Sequence, residues 1–143
     1  MGQAREVMDR LTEALTTGTD LKAVMECFAE DAVAVTPDGE IRGRDNIGEY
    51  WRQMTDAIPD SQYESVHKHE SGNTAIDKGF FTGKNTGPLV LPSGESLEPT
   101  QKDVRVRGCD VATVEDGKIV SYRLYFDQLD FLGQLGLLPN APT

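Results

Sequence analysis

The chain has little of what many functions require. It carries two cysteines, Cys27 and Cys109, in 143 residues. That excludes a disulfide framework, and their spacing matches no metal motif. They read as free thiols in a reducing compartment, so a cytoplasmic location is expected. Basic residues are outnumbered, 14 Lys and Arg against 24 Asp and Glu. A net charge of −10 repels phosphate backbones and anionic membranes, which argues against nucleic acid or a membrane as partner. No apolar run approaches the length that spans a bilayer. The opening stretch MGQAREVMDRLTEAL has no continuous apolar segment of the kind a secretory signal needs. Repeats, low-complexity tracts and linkers are missing too, so a single domain over residues 1–143 is expected.

What is present fits an ordinary globule: 38% hydrophobic and 27% charged residues, enough to bury a core without staples. From Ala4 to Leu15, Ala4, Val7, Met8, Leu11, Ala14 and Leu15 recur at helical spacing, and Gly18 ends that helix. Asp20 caps a second helix with the face Leu21, Val24, Met25 and Phe28. AVAVT (Ala32 to Thr36) reads as a strand, followed by a Pro37-Asp38-Gly39 turn. Asp45 caps a third helix carrying Ile47, Tyr50, Trp51 and Met54, stopped by Pro59. Beyond it the period changes to two. Strands are expected at Gln62 to Glu70, Thr74 to Thr86, Leu97 to Val114 and Ile119 to Phe126, with turns at Ser71-Gly72-Asn73, Pro92-Ser93-Gly94 and Asp116-Gly117. Helices followed by successive hairpins imply α+β: N-terminal helices on one face of a curved antiparallel sheet, with a short C-terminal helix.

Side chains alternate across a strand, so faces can be counted. In Val104 to Val114 the even positions are apolar except Asp110, the single charge there; Arg105, Arg107 and Thr113 point the other way. In the last strand Val120, Tyr122, Leu124 and Phe126 form the even, apolar face, with Ser121 and Arg123 outward. A two-residue loop at Asp116-Gly117 would mix these faces. A three-residue loop, Glu115-Asp116-Gly117, with Gly117 as a bulge, keeps them together. It sets Val114 against Lys118, Asp110 against Tyr122 and Gly108 against Leu124. Asp127 falls at a strand-to-helix junction on the outer face, where a carboxylate accepts from the first free amides of a helix running from Gln128 to about Leu135. Its role is read as a cap.

The motifs FAEDA, GRD, FTGKNTGPL, DGKI and RLYFD…QLGLL together resemble the nuclear transport factor 2-like fold, and within it the SnoaL-like polyketide cyclase branch, from about Ala4 to Leu138. The resemblance implies a cone whose strongly bent sheet wraps against the helices around a deep apolar pocket, and a homodimer through the outer sheet face. It implies ring closure by intramolecular aldol chemistry with an aspartate as acid/base and no metal or cofactor. That aspartate falls on Leu124, the family's pocket histidines on Tyr122 and Asp110, and a pocket asparagine on Thr36. The fold's limonene epoxide hydrolases place their catalytic groups at Ala34, Thr36, Phe80, Thr82 and Leu124. None is retained, which argues against epoxide hydrolysis.

Asp110 is therefore the chemical candidate, because burial raises a carboxyl pKa toward the range a general acid/base needs. The plainer reading is a buried acid satisfied by Tyr122 or by backbone amides. Tyr122 could donate to an enolate oxygen, or be a core aromatic. Thr36 and Thr82 are candidate positioners. Trp51, Phe80, Gly108, Leu124 and Phe126 are expected to line the pocket, although aromatic residues at helical spacing, as Tyr50 and Trp51 are, read first as core. His67 and His69 share a strand face with no third metal ligand apparent, so a solvated face is expected. Asp77, where Lys78-Gly79 blurs the alternation, is assigned an ion pair with a neighbouring strand. Two functions follow: a cofactor-independent cyclase or isomerase of a small, apolar, polyketide-like carbonyl compound, or a binding or assembly module with an apolar pocket.

Overall fold

The computed structural model describes residues 2–16, 20–91 and 93–137; the expected helix stop at Gly18 and the turn residue Pro92 lie outside them. In chain order the elements are α1 (Gln3–Thr16), α2 (Leu21–Glu26), β1 (Phe28–Thr36), β2 (Gly39–Arg42), α3 (Arg44–Ala57), β3 (Gln62–Ser71), β4 (Thr74–Lys84), β5 (Leu89–Val90), β6 (Ser96–Leu97), β7 (Asp103–Glu115), β8 (Lys118–Phe126) and α4 (Gln128–Gln134). Six strands form one sheet in the order β2-β1-β8-β7-β4-β3, and β5 pairs with β6. The architecture is α+β as expected, but the sheet is mixed. β1 runs parallel to β8, which joins the N-terminal half of the chain to its last strand.

The helices form where the apolar spacing placed them. Ala4, Val7, Met8, Leu11 and Ala14 are buried along α1. Its first amides are taken by the Glu70 carboxylate of β3, which accepts from the backbone N–H groups of Gly2 and Arg5 at 2.9 Å each. Asp20 caps α2 by accepting from Ala23 N–H at 3.1 Å. Phe28 belongs to β1 rather than to the α2 face; it is fully buried and meets the Tyr122 ring edge-on. The cap of α3 is Gly43, with φ +91°, not Asp45. Only glycine adopts that conformation without strain, and it carries the chain from β2 into the helix. Asp45 then lies in the first turn, where a negative charge suits the helix dipole.

β4 ends at Lys84 and β7 begins at Asp103, shorter than the alternation suggested, because Asn85 closes the segment between them. Its buried side chain donates to the Ala57 and Gly87 carbonyls at 3.0 Å each. It also accepts from Thr100 N–H at 2.8 Å and the Thr100 hydroxyl at 3.0 Å. Asn85→Ala leaves those groups unsatisfied and is expected to cost about 3 kcal/mol, read by urea denaturation.

Gly79 of β4 pairs with Gly108 of β7. A Cβ on Gly79 would sit 1.9 Å from the Glu64 carbonyl oxygen of β3. In a flat sheet a Cβ points away from the neighbouring strand, so β3 must fold over the inner face here. The β3–β4 register breaks between Ser65 and His67, at the same place. Two apolar clusters result. One packs α1, α2 and α3 on β1 and β8 around Tyr122. The other gathers Ile58, Val106, Phe131 and Leu135.

Candidate active site

The β7–β8 hairpin decides what surrounds Asp110. The loop has two residues, Asp116-Gly117, with Glu115 opposite Lys118. The faces still match, because the extra residue sits inside β8: Val114 pairs with Ile119 and Thr113 with Ser121, leaving Val120 as a bulge. The expected three-residue loop and its pairings are thus corrected. Asp110 lies opposite Leu124, Ala112 opposite Tyr122, and Gly108 opposite Phe126. Ile119 takes the buried place expected of Val120.

Asp110 is 9% exposed. The Tyr122 hydroxyl, on the diagonal neighbour, donates to its Oδ2 at 2.7 Å. Oδ1 is buried and accepts no hydrogen bond from another residue among the described residues. Burial pushes the carboxyl up to about 7, the Tyr122 bond opposes the rise, and nearby Asp77 adds to it. Burial and the Asp110 charge together hold the Tyr122 phenol well above its ordinary value, so it stays a donor. Its ring is held edge-on by Phe28 and Trp51, with centroids 5.8 and 5.9 Å away. The hydrogen bond favours the ionised carboxylate. Tyr122→Phe is therefore expected to move the Asp110 midpoint above its present value near 7, read by carbon NMR of the carboxyl.

Both groups line a cavity with about 830 Å³ of unfilled space, counted out through its open mouth. Trp51, Gly108, Leu124 and Phe126 line it as well. Thr36, Phe80 and Thr82 are not among its lining residues. Thr36 is committed to its hairpin, its hydroxyl accepting from Asp38 N–H at 3.1 Å. Phe80 and Thr82 are on the other face of β4, since Asp77 pairs with Asp110 and Phe81 with Val106, so odd positions of β4 share the inward face with even positions of β7. Arg105 lies 3.6 Å over the Phe80 ring on that outer side. Phe81 lines the cavity instead. So does Tyr63, which sequence reasoning did not single out; its phenol is raised first by burial and then by the Asp110 charge. The indole N–H of Trp51 is buried with no hydrogen-bond partner among the described residues.

Asp77 is fully buried, and its ion-pair partner is Arg5 of α1 at 2.6 Å rather than a group on a neighbouring strand. His67 and His69 are exposed on β3 with ring centroids 6.3 Å apart. Among the described residues no three His, Cys, Asp or Glu side chains cluster as a metal would need. Asp127 caps α4, accepting from Asp130 N–H at 3.0 Å, and stays out of the cavity. Gln134 of α4 bonds both the N–H and the carbonyl of Arg105, at 2.7 and 2.9 Å, docking the helix on β7 and setting Phe131 in the cavity wall.

The arrangement is a buried carboxyl, one oxygen of which accepts from no other described residue, at the wall of a largely apolar chamber. A family profile described as a SnoaL-like domain matches residues 8–122. Among solved structures, a candidate SnoaL-like polyketide cyclase from a Jannaschia species is 16% identical, with 96% of this chain and 94% of that one covered at a TM-score of 0.83. IdmH, a candidate polyketide cyclase from Streptomyces antibioticus, is 23% identical, with 94% and 99% covered at 0.77. A protein of ketosteroid isomerase-like fold from Catenulispora acidiphila, solved in complex with trimethylamine, is 19% identical, with 93% and 94% covered at 0.76. At these identities the likeness is one of fold. No curated protein matches the chain.

Proposed function

We propose, from the premise that this chain belongs to the SnoaL-like domain family, that it is a cofactor-independent acid/base enzyme: a cyclase or isomerase of a small apolar carbonyl compound of polyketide type. The observation that carries the reading is the free, buried Oδ1 of Asp110 in the cavity wall, with Oδ2 held by Tyr122. The position of the family's usual aspartate is Leu124, and Leu124 is the direct cross-strand partner of Asp110. A carboxyl relocated by one strand reaches the same part of the cavity.

In this mechanism ionised Asp110 takes a proton from carbon next to the substrate carbonyl through Oδ1. Negative charge builds on the carbonyl oxygen as the enolate forms. The unpartnered Trp51 N–H is a donor for that oxygen. The Tyr122 hydroxyl is a second one, released from Oδ2 once the carboxyl is neutral. Protonated Asp110 then returns its proton to carbon or oxygen, and the surrounding apolar side chains keep water from the enolate.

The test is deuterium wash-in at the α-carbon of an apolar ketone, 2-decalone, in D2O, followed by proton NMR. Protein-dependent exchange is the expected result. Ketone binding without exchange above buffer would favour the second reading, a non-catalytic module that sequesters an apolar ligand, which Leu124 at the family's acid/base position supports.

The reading extends to a cytoplasmic homodimer. Its two cysteines are free, and no described helix is long and apolar enough to cross a membrane. The outer sheet face exposes Val35, Arg123 and Tyr125 for a second copy. Light scattering after gel filtration is expected to give twice the chain mass, and Tyr125→Glu to halve it.

A further inference from the structure

Asp77 and Arg5 play no part in the chemistry proposed above, yet both are deeply enclosed, at 0% and 6% exposure. Their placement is specific. Asp77 is the cross-strand partner of Asp110, on the same inward face. Directly paired side chains of neighbouring strands are about 5 Å apart at Cβ, so the two acids stand side by side in the interior. Arg5 reaches Asp77 Oδ1 at 2.6 Å from the helix side. It is held there by Asp9, whose Oδ1 accepts from Arg5 Nε at 3.1 Å and Nη2 at 2.9 Å.

We infer that the Arg5–Asp77 pair is a positioning device for Asp110, placing a negative charge beside the cavity acid that opposes its ionisation. The inference rests on the acid/base reading of Asp110. Arg5 remains charged at any pH the protein survives; burial pushes the Asp77 carboxyl up, and the Arg5 contact opposes that rise and favours the anion. The Asp77 charge then disfavours a second anion next to it. Arg5 pairs with Asp77 and makes no ion pair with Asp110, and its opposing effect on Asp110 is the weaker. The causes acting on Asp110 follow that order: burial first, the Tyr122 bond against it, Asp77 raising, the residue's own backbone amide lowering, and Arg5 lowering least.

The other groups facing Asp110 are few. β8 presents Tyr122, and β3 presents Tyr63, whose hydroxyl bonds the Asp77 and Gly108 carbonyls at 3.4 and 3.3 Å. α1 presents Arg5, and α3 presents the uncharged Trp51 beside Tyr122. On β7 itself Cys109 is the adjoining titratable side chain, on the opposite face. Among these, Asp77 is the other carboxyl, and Arg5 is the cation that favours its ionised form.

The experiment is carbon NMR titration of the Asp carboxyls in the full chain, with the Asp110 signal assigned by its loss in Asp110→Asn. Asp77→Asn is expected to lower the Asp110 midpoint by about one pH unit. The double variant Arg5→Gln/Asp77→Asn removes both charges, and its midpoint is expected between that of the single variant and the wild type. A purely structural pair would change the melting temperature and leave the three midpoints together, which overturns the inference. Should Asp77→Asn fail to fold, the charge-neutral double variant carries the comparison, and a wild-type midpoint in it is equally fatal. No substrate enters this titration. Absent deuterium wash-in would therefore sink the acid/base reading and leave the coupling intact, whereas unmoved midpoints with normal wash-in would sink the coupling alone.

Discussion

Asp110→Asn is expected to lower the rate of deuterium wash-in by about 10² to 10⁴, the usual contribution of a positioned acid/base. The amide keeps the shape and can still accept from Tyr122, but it cannot take a proton. Because the base form must be ionised, wild-type exchange should rise with pH through about 7 and then level off. The asparagine variant should follow the shallow dependence of solvent hydroxide. An unchanged rate in the variant would place the chemistry elsewhere or nowhere. Ketone binding, measured separately, should change little, since most of the lining is apolar and untouched.

The same substitution is expected to stabilise the fold at alkaline pH. In the folded chain Asp110 titrates near 7, above the ordinary carboxylate value of about 3.9. Below that lower value both folded and unfolded chains carry the proton. Between about pH 3.9 and 7 the unfolded chain releases it and the folded chain does not, so stability falls as pH rises. Above 7 the loss is complete, at up to about 4 kcal/mol. The asparagine amide has nothing to ionise. Urea denaturation should find wild type and variant similar at about pH 4, with the variant more stable by up to that amount at about pH 8. A difference that does not change with pH would mean a solvated carboxyl.

These two expectations oppose each other: the group that supplies the chemistry weakens the fold at the pH where it works. Its neighbours are arranged accordingly. Tyr122 favours the anion through a hydrogen bond, as does the residue's own backbone amide; Asp77 favours the acid through its charge, and Oδ1 accepts from no other residue among the described residues.

Much of this was legible without coordinates. The helical spacing in Ala4 to Leu15 specified the buried stripe of α1, and strand alternation placed Asp110 inside and Arg105 outside. Asp127 could be read as a cap because a carboxylate at a strand-to-helix junction has a local partner, the amide of Asp130. β4 was harder. Lys78-Gly79 blurs its alternation around Asp77, and Phe80 and Thr82, which the resemblance matched to catalytic positions, lie on the face opposite Ala75, Asp77, Gly79 and Phe81. Tyr63 sits where β3 folds over Gly79, and that fold has no signature within β3 itself.

Sequence alone determined the class of fold, the inward face of β7 and the single acid upon it, because alternation and capping are local properties of a few consecutive residues. Only the tertiary structure decided the register of the last hairpin, through the Val120 bulge, and the identity of the groups around the acid. Asp77 reaches Asp110 across the sheet, and Arg5 reaches Asp77 from the first helix of the chain, far away in sequence. Contacts of that kind depend on how strands slide and helices dock, and the free energy that selects them is spread over the whole core rather than written in any one segment.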